Sequence, residues 1–428
     1  MRNISPIALS LLLLTFAASS VAAPKNIIVM VGDGMGPSHV TGYRHMQHTS
    51  GEVKPTILDE LLVGWSSTHP DDDTIVTDSA SSATALATGH KTCNLSIAMD
   101  CNDRPLKTLF QKAKQHGKWT GIAVTSQVNH ATPAPFYAHS PTRHQLNEIA
   151  DQLVDNRVNE QLPVDVILGG GVQFFVREDR NLVEELKAEG YQYADSWKSL
   201  NKLDRAPALG LLAKVALPSA LESPVPDPLA TLTDRALQLL SKNEKGFVLV
   251  VEGSQIDWCS HANDIACAMA EMDDFAAAVT VARDFVDAHP DTLLVITGDH
   301  ETGGLSLGAN NQYHWHPHVI RGVKLTANTL SDRLLKTKRW QRAWQKHTGI
   351  ELDEEEQSAL SQARSAGKEE LATAIKDIIN RRSHTGWTSH GHTAVDVPIM
   401  AYGAGSERFH GFVDNADIGA RLMEAIGD

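Results

Sequence analysis

Ile27-Ile28-Val29-Met30-Val31-Gly32-Asp33-Gly34-Met35-Gly36 is a run of five apolar, mostly β-branched residues that stops at a glycine, an aspartate and a second glycine. A run so short and uniformly apolar fits a strand buried on both faces, with the aspartate standing where the strand ends. Five similar runs follow, at 120–124, 164–168, 247–251, 293–297 and 398–402. They alternate with helical patterns at 105–116, 145–153, 182–189, 231–242 and 265–288. That alternation predicts an α/β fold: a single large three-layer domain over 24–428, with a mostly parallel central sheet flanked by helices. Two stretches break the rhythm. Residues 218–228 hold four prolines and read as a surface connection. Residues 308–388 carry four of the eight tryptophans and a basic run from Lys338 to Arg342, and read as an insertion between two strands of the sheet.

In an open α/β sheet ligands gather beyond the carboxyl ends of the strands. There the sequence places Asp33, then Asn129-His130-Ala131-Thr132, Glu252 and Gly298-Asp299-His300-Glu301. Any one of these segments is ordinary for a turn or a helix cap. Together with Asp257 and His261, four apart and so on one helix face, and with the histidines of Ser389-His390-Gly391-His392-Thr393, they suit zinc in an open catalytic site. A helix beginning near Ser79, in Thr77-Asp78-Ser79-Ala80-Ser81-Ser82-Ala83-Thr84-Ala85, would set that hydroxyl among free backbone N–H groups. A serine hydroxyl is too weakly acidic to attack unaided, so the reading of Ser79 as a nucleophile depends on a metal beside it.

The 428 residues carry a formal net charge of −14, which argues against a general nucleic-acid or anionic-membrane surface, and 20 histidines, which hint at bound cations. Residues 1–23 combine Arg2, an apolar stretch and Val21-Ala22-Ala23, and read as a cleaved secretory signal; no later segment reaches membrane-span length. The expected location is therefore the periplasm or the medium. In an oxidising compartment Cys93 with Cys101, and Cys259 with Cys267, become disulfide candidates, the second pair reading equally well as two buried thiols. His314-Trp315-His316-Pro317-His318 reads as exposed loop histidines in preference to an accessory metal site.

These motifs, in this order from Lys25 almost to the C-terminus, resemble the alkaline phosphatases, zinc-dependent phosphomonoesterases. The matching segments are Gly32 to Gly36, Thr77 to Ala85, Val251 to His261, Thr297-Gly298-Asp299-His300-Glu301-Thr302-Gly303-Gly304, and His392-Thr393-Ala394-Val395-Asp396-Val397. The resemblance implies two zinc ions and one magnesium ion per subunit. Asp257, His261 and His392 would hold one zinc, and Asp33, Asp299 and His300 the second, beside Ser79. Asp33, Thr132 and Glu252 would hold magnesium. Arg143 would fork onto two phosphate oxygens, and Ser79 would pass through a phosphoserine. His130 and Trp258 would stand behind the ligands, in a combination that resembles the cold-active marine bacterial branch, which also carries a large insertion. The implied partners are small phosphate monoesters and a second copy of the chain, with 308–388 as a dimerisation element or a lid. A phosphodiesterase of the same superfamily and a non-catalytic exported phosphate- or zinc-binding protein are the alternatives.

Overall fold

The computed structural model describes residues 23–48 and 52–427, so the expected signal segment lies outside the described residues except for Ala23. The sheet strands are β1 (Asn26–Gly32), β2 (Leu62–Ser67), β3 (Trp119–Gln127), β4 (Val166–Gly170), β5 (Gln192–Ala194), β6 (Ala208–Leu211), β7 (Phe247–Gly253) and β8 (Thr292–Gly298). Four two-residue strands follow, β9 (Glu301–Thr302), β10 (Ser306–Leu307), β11 (Thr385–Gly386) and β12 (His392–Thr393), and then β13 (Val397–Gly403) and β14 (Gly411–Asp414). Ten of them form one sheet in the order β14-β2-β13-β8-β1-β7-β3-β4-β6-β5, while β10 pairs with β11 and β9 with β12 beside it. Only β13 runs against its neighbours in the large sheet.

The expected α/β architecture is present, with all six predicted strands in the sheet. β1 lies at its centre because its side chains are apolar on both sides. Ile28 and Met30 join the core on one face, and Ile27, Val29 and Val31 the core on the other, all fully buried. Each such side chain contributes roughly 1.5–3 kcal/mol through removal from water. Val31 pairs with Glu252 on β7 and with Thr297 on β8, so that register brings Asp33, Glu252 and Asp299 to one edge. The chain then turns through Gly34 at φ +77°, where a Cβ would lie 2.7 Å from the Cα of Asp257. A side chain there would collide with the helix that carries Asp257 and His261, so this turn requires glycine.

Between β8 and β13 run five helices: Pro317–Arg321, Ala327–Leu335, Trp340–Thr348, Glu354–Ala366 and Lys368–Ser383. Their apolar faces extend the core on the side of the long helix Ile265–Ala288. Trp340 and Trp344 are buried there, and the Trp344 indole N–H donates to the Ile350 carbonyl at 2.8 Å. These tryptophans are spent inside the segment, whereas Lys338, Arg339 and Arg342 stay exposed. Arg321 ties the segment to helix Pro37–Gln47 through the carbonyls of His45 (2.8 Å) and Met46 (2.9 Å). Cys93 is bonded to Cys101 and Cys259 to Cys267. Among the described residues no helix is long and apolar enough to cross a membrane.

Candidate active site

Ser79 is the first residue of helix Ser79–Thr88, and Asp78 caps it by accepting the Ser81 N–H at 3.0 Å. The buried hydroxyl of Ser79 therefore sits at a helix N-terminus, where unpaired N–H groups favour negative charge. Its Oγ lies 3.2 Å from His300 Nε2. Around the same nitrogen stand Asp299 Oδ2 at 3.2 Å and Asp33 Oδ1 at 3.5 Å. A second group forms from the helix after β7 and from β12: His261 Nε2 is 3.1 Å from His392 Nε2 and 3.3 Å from Asp257 Oδ1, and His392 Nε2 is 3.5 Å from that oxygen. Ligand atoms around one tetrahedral zinc, with bonds of about 2.05 Å, stand about 3.3 Å apart, so both groups have zinc spacing.

Asp33, Glu252 and His130 make a third group, with one ligand atom from each inside 4.8 Å, and Thr132 Oγ1 donates to Asp33 Oδ2 at 3.4 Å. His130, expected behind the ligands, thus has a ring nitrogen within 4.8 Å of both carboxylates. Arg143 closes the same side, donating from Nη1 to Asp78 Oδ2 at 3.0 Å and approaching His130 Nε2 with Nη2 at 3.3 Å. Trp258 meets the His130 ring edge-on at 5.7 Å.

The buried polar atoms indicate cations. Asp33 Oδ1, Asp299 Oδ2, Glu252 Oε1 and His130 Nδ1 are inaccessible and accept or donate no hydrogen bond, a state that needs a specific cause in a folded protein. Burial, then the Asp299, Asp257 and Glu252 carboxylates, holds Asp33 well above the usual carboxylate range. Burial pushes Glu252 up to about 7. Burial, and next the Arg143 charge, holds His130 down to about 3, so its ring is neutral. Divalent ions among these groups would reverse the repulsion and accept the free lone pairs, and the donor set, oxygen and imidazole without thiolate, fits zinc and magnesium.

The histidines are aimed from behind. The Thr77 carbonyl accepts from His392 Nδ1 at 2.8 Å, and the His390 carbonyl from His261 Nδ1, which leaves both Nε2 atoms facing the group. Thr302 Oγ1 bonds both Asp257 Oδ1 and His300 Nδ1 and so links the first two groups. Every site residue expected from sequence lies in this one crevice. Sequence reasoning missed Thr302 and both roles of Asp78, as the cap of this helix and as the partner of Arg143.

A family model described as alkaline phosphatase matches residues 24–427. Alkaline phosphatase 3 of Bacillus subtilis (strain 168) is 42% identical over 410 residues, covering 94% of this chain and 89% of that protein. The crystal structure of a cold-active alkaline phosphatase from a psychrophilic Shewanella species superposes with a TM-score of 0.90 at 44% identity, covering 94% of this chain and all of that one. A variant TAB5 alkaline phosphatase, solved with magnesium in its M3 site, superposes at 0.72 and 28% identity over 95% of this chain and 99% of that one.

Proposed function

The chain belongs to the alkaline phosphatase family, hydrolases of phosphate monoesters, and we propose that the crevice at Ser79 performs this reaction through a phosphoserine. In this reading Asp257, His261 and His392 hold one zinc ion, Asp33, Asp299 and His300 a second, and Asp33, Thr132 and Glu252 a magnesium ion. The ions supply Lewis acidity and positive charge that make a hydroxyl and a water reactive at neutral to alkaline pH.

Arg143 forks onto two phosphate oxygens and is kept aimed by Asp78. Ser79 Oγ, having lost its proton, attacks phosphorus in line. The P–O bond to the alcohol breaks as the Oγ–P bond forms, and the departing oxygen gains a proton to leave as alcohol. Water then attacks the phosphoserine from the vacated side, giving inorganic phosphate and restoring the serine. The N-terminus of helix Ser79–Thr88 favours the negative charge that builds up at Oγ.

The observation that carries the reading is Ser79 Oγ at 3.2 Å from His300 Nε2, inside a group with zinc spacing. The test is release of phenolate from an aryl phosphate monoester and from the matching diester, with and without chelator, by the wild type and Ser79→Ala. Loss of monoester turnover by several powers of ten in Ser79→Ala and on chelation is expected; a strong diester preference, or activity surviving both changes, would refute it.

The two disulfides suit an oxidising compartment, and with the leader-like residues 1–23 they support export to periplasm or medium. A homodimer built through the 308–388 segment is also proposed, on the family resemblance, with the exposed Lys338, Arg339 and Arg342 as the residues to test. Reversing those three charges to glutamate should convert the dimer to monomer in light scattering; an undiminished dimer counts against this face.

A further inference from the structure

The histidines of His314-Trp315-His316-Pro317-His318 take no part in the crevice, yet the fold gathers them. The His316 ring lies 5.0 Å from His384, 5.4 Å from His318 and 5.9 Å from His314, centre to centre. Two imidazoles sharing one tetrahedral zinc through bonds of about 2.05 Å have ring centres roughly 5 Å apart. His261 and His392, the pair proposed to share a catalytic zinc, stand at the same 5.0 Å. Packed aromatic pairs such as Phe110 and Phe136, at 5.6 Å, span the same range, so the spacing permits a shared ion and it is the gathering of four imidazoles that singles out this cluster.

The two segments that carry the cluster are clamped together. Gly308 N–H donates to the His384 carbonyl and His316 N–H to the Ser383 carbonyl, both at 2.9 Å. The Trp315 indole N–H donates to Thr385 Oγ1 at 3.0 Å, and β10 pairs with β11 alongside. His384 takes a left-handed backbone, φ 56°, where helix Lys368–Ser383 ends. A residue with a Cβ adopts that conformation rarely, and here it accompanies a ring set edge-on to His316 at 84°. His316 and His384 are half-buried, while His314 and His318 are exposed and free to turn. The four nitrogen sets do not converge as tightly as the crevice groups do, so binding an ion requires the exposed His314 and His318 side chains to turn towards His316 and His384.

We propose that His314, His316, His318 and His384 form an additional site for a borderline divalent cation of the zinc, nickel or copper(II) class. Imidazole donors alone select such ions over magnesium and calcium. The ion ties loop 308–316 to the end of the helix that leads, eight residues on, to His392. It is a structural clamp separate from the catalytic ions.

The experiment uses the whole holoenzyme without a polyhistidine tag, its catalytic metals saturated, dialysed to equilibrium against micromolar zinc, with bound zinc counted by mass spectrometry. The wild type should hold one zinc per chain more than His316→Ala/His384→Ala, while both hydrolyse an aryl phosphate at the same rate. His314→Gln/His318→Gln, which alters only exposed side chains, should bind the extra zinc at least tenfold more weakly. Equal zinc content in all three proteins would overturn the proposal. So would an equal loss in His410→Gln, which removes an exposed histidine outside the cluster and would mean general surface adsorption.

Discussion

Replacing Thr302 by valine is expected to loosen both zinc groups at once. The hydroxyl is fully buried, donates its single hydrogen to Asp257 Oδ1, and accepts from His300 Nδ1 at 3.2 Å. Valine keeps the shape and removes both bonds. The bond to the carboxylate is worth roughly 1.5–3 kcal/mol and that to the imidazole about 1 kcal/mol. Losing them also frees His300 to exchange tautomers, so that Nε2, which faces Asp33, Asp299 and Ser79, is no longer held as the unprotonated nitrogen. Residues that orient metal ligands commonly govern 10- to 100-fold in affinity, and at least about tenfold is expected for each zinc. The assay follows activity and bound zinc across buffers of fixed free zinc. Thr302→Ser, which retains the hydroxyl, should track the wild type, and Thr302→Val should need at least tenfold more free zinc for half activity, with unchanged turnover once saturated. Superimposable curves for Thr302→Val and wild type would refute the bridging role.

Glu271, buried beneath the Ala220 N–H that donates to it at 2.7 Å, is pushed up to about 7, above all by burial. Its folded pKa exceeds the unfolded value near 4.5, so the stability of the protonated form is fully present below about pH 4.5 and is lost as pH rises through about 7. Glu271→Gln, which can still accept from Ala220, should therefore raise the melting temperature at pH 9 by several degrees and leave it nearly unchanged at pH 5; an equal shift at both values would contradict this. His130→Asp with Trp258→Lys replaces a neutral ring and an aromatic edge by an ion pair beside the magnesium group. Tighter magnesium binding, stronger inhibition by phosphate and slower turnover are expected, and steady-state kinetics with unchanged values in all three would exclude it.

Much of this was legible because the decisive elements are local. Ile27 to Val31 reads as a doubly buried strand from its composition, and the helix starting at Ser79 reads from its small residues. The last two strands at one end of the sheet were not legible: Leu62–Ser67 and the edge strand Gly411–Asp414 are short, half exposed and broken by glycine or serine, so they lack an apolar run. The reversal of β13 depends on which neighbours it meets and leaves no mark in its own residues. The same holds for Arg143 and Asp78, 65 positions apart, and for Thr302, whose value lies only in which two atoms it touches. How close the His130 ring comes to Asp33 and Glu252 was not legible, because a histidine two residues before Thr132 does not announce where its ring points. Four tryptophans in one segment suggested a surface for a partner, but two of them fill the segment's own interior.

The Asp257 group takes His392 from a strand that pairs with Glu301 and Thr302, while the neighbouring group begins at Asp33. During synthesis, the first of these side chains emerges more than 350 residues before the last. A chain that lacks residue 392 keeps only Asp257 and His261 of the first group, whereas Asp33, Asp299 and His300 of the second are all present. In the proposed reading, the paired-metal arrangement beside Ser79 is therefore complete only when the strand carrying His392 has docked on Glu301 and Thr302, so full competence for the reaction is a readout of completed folding.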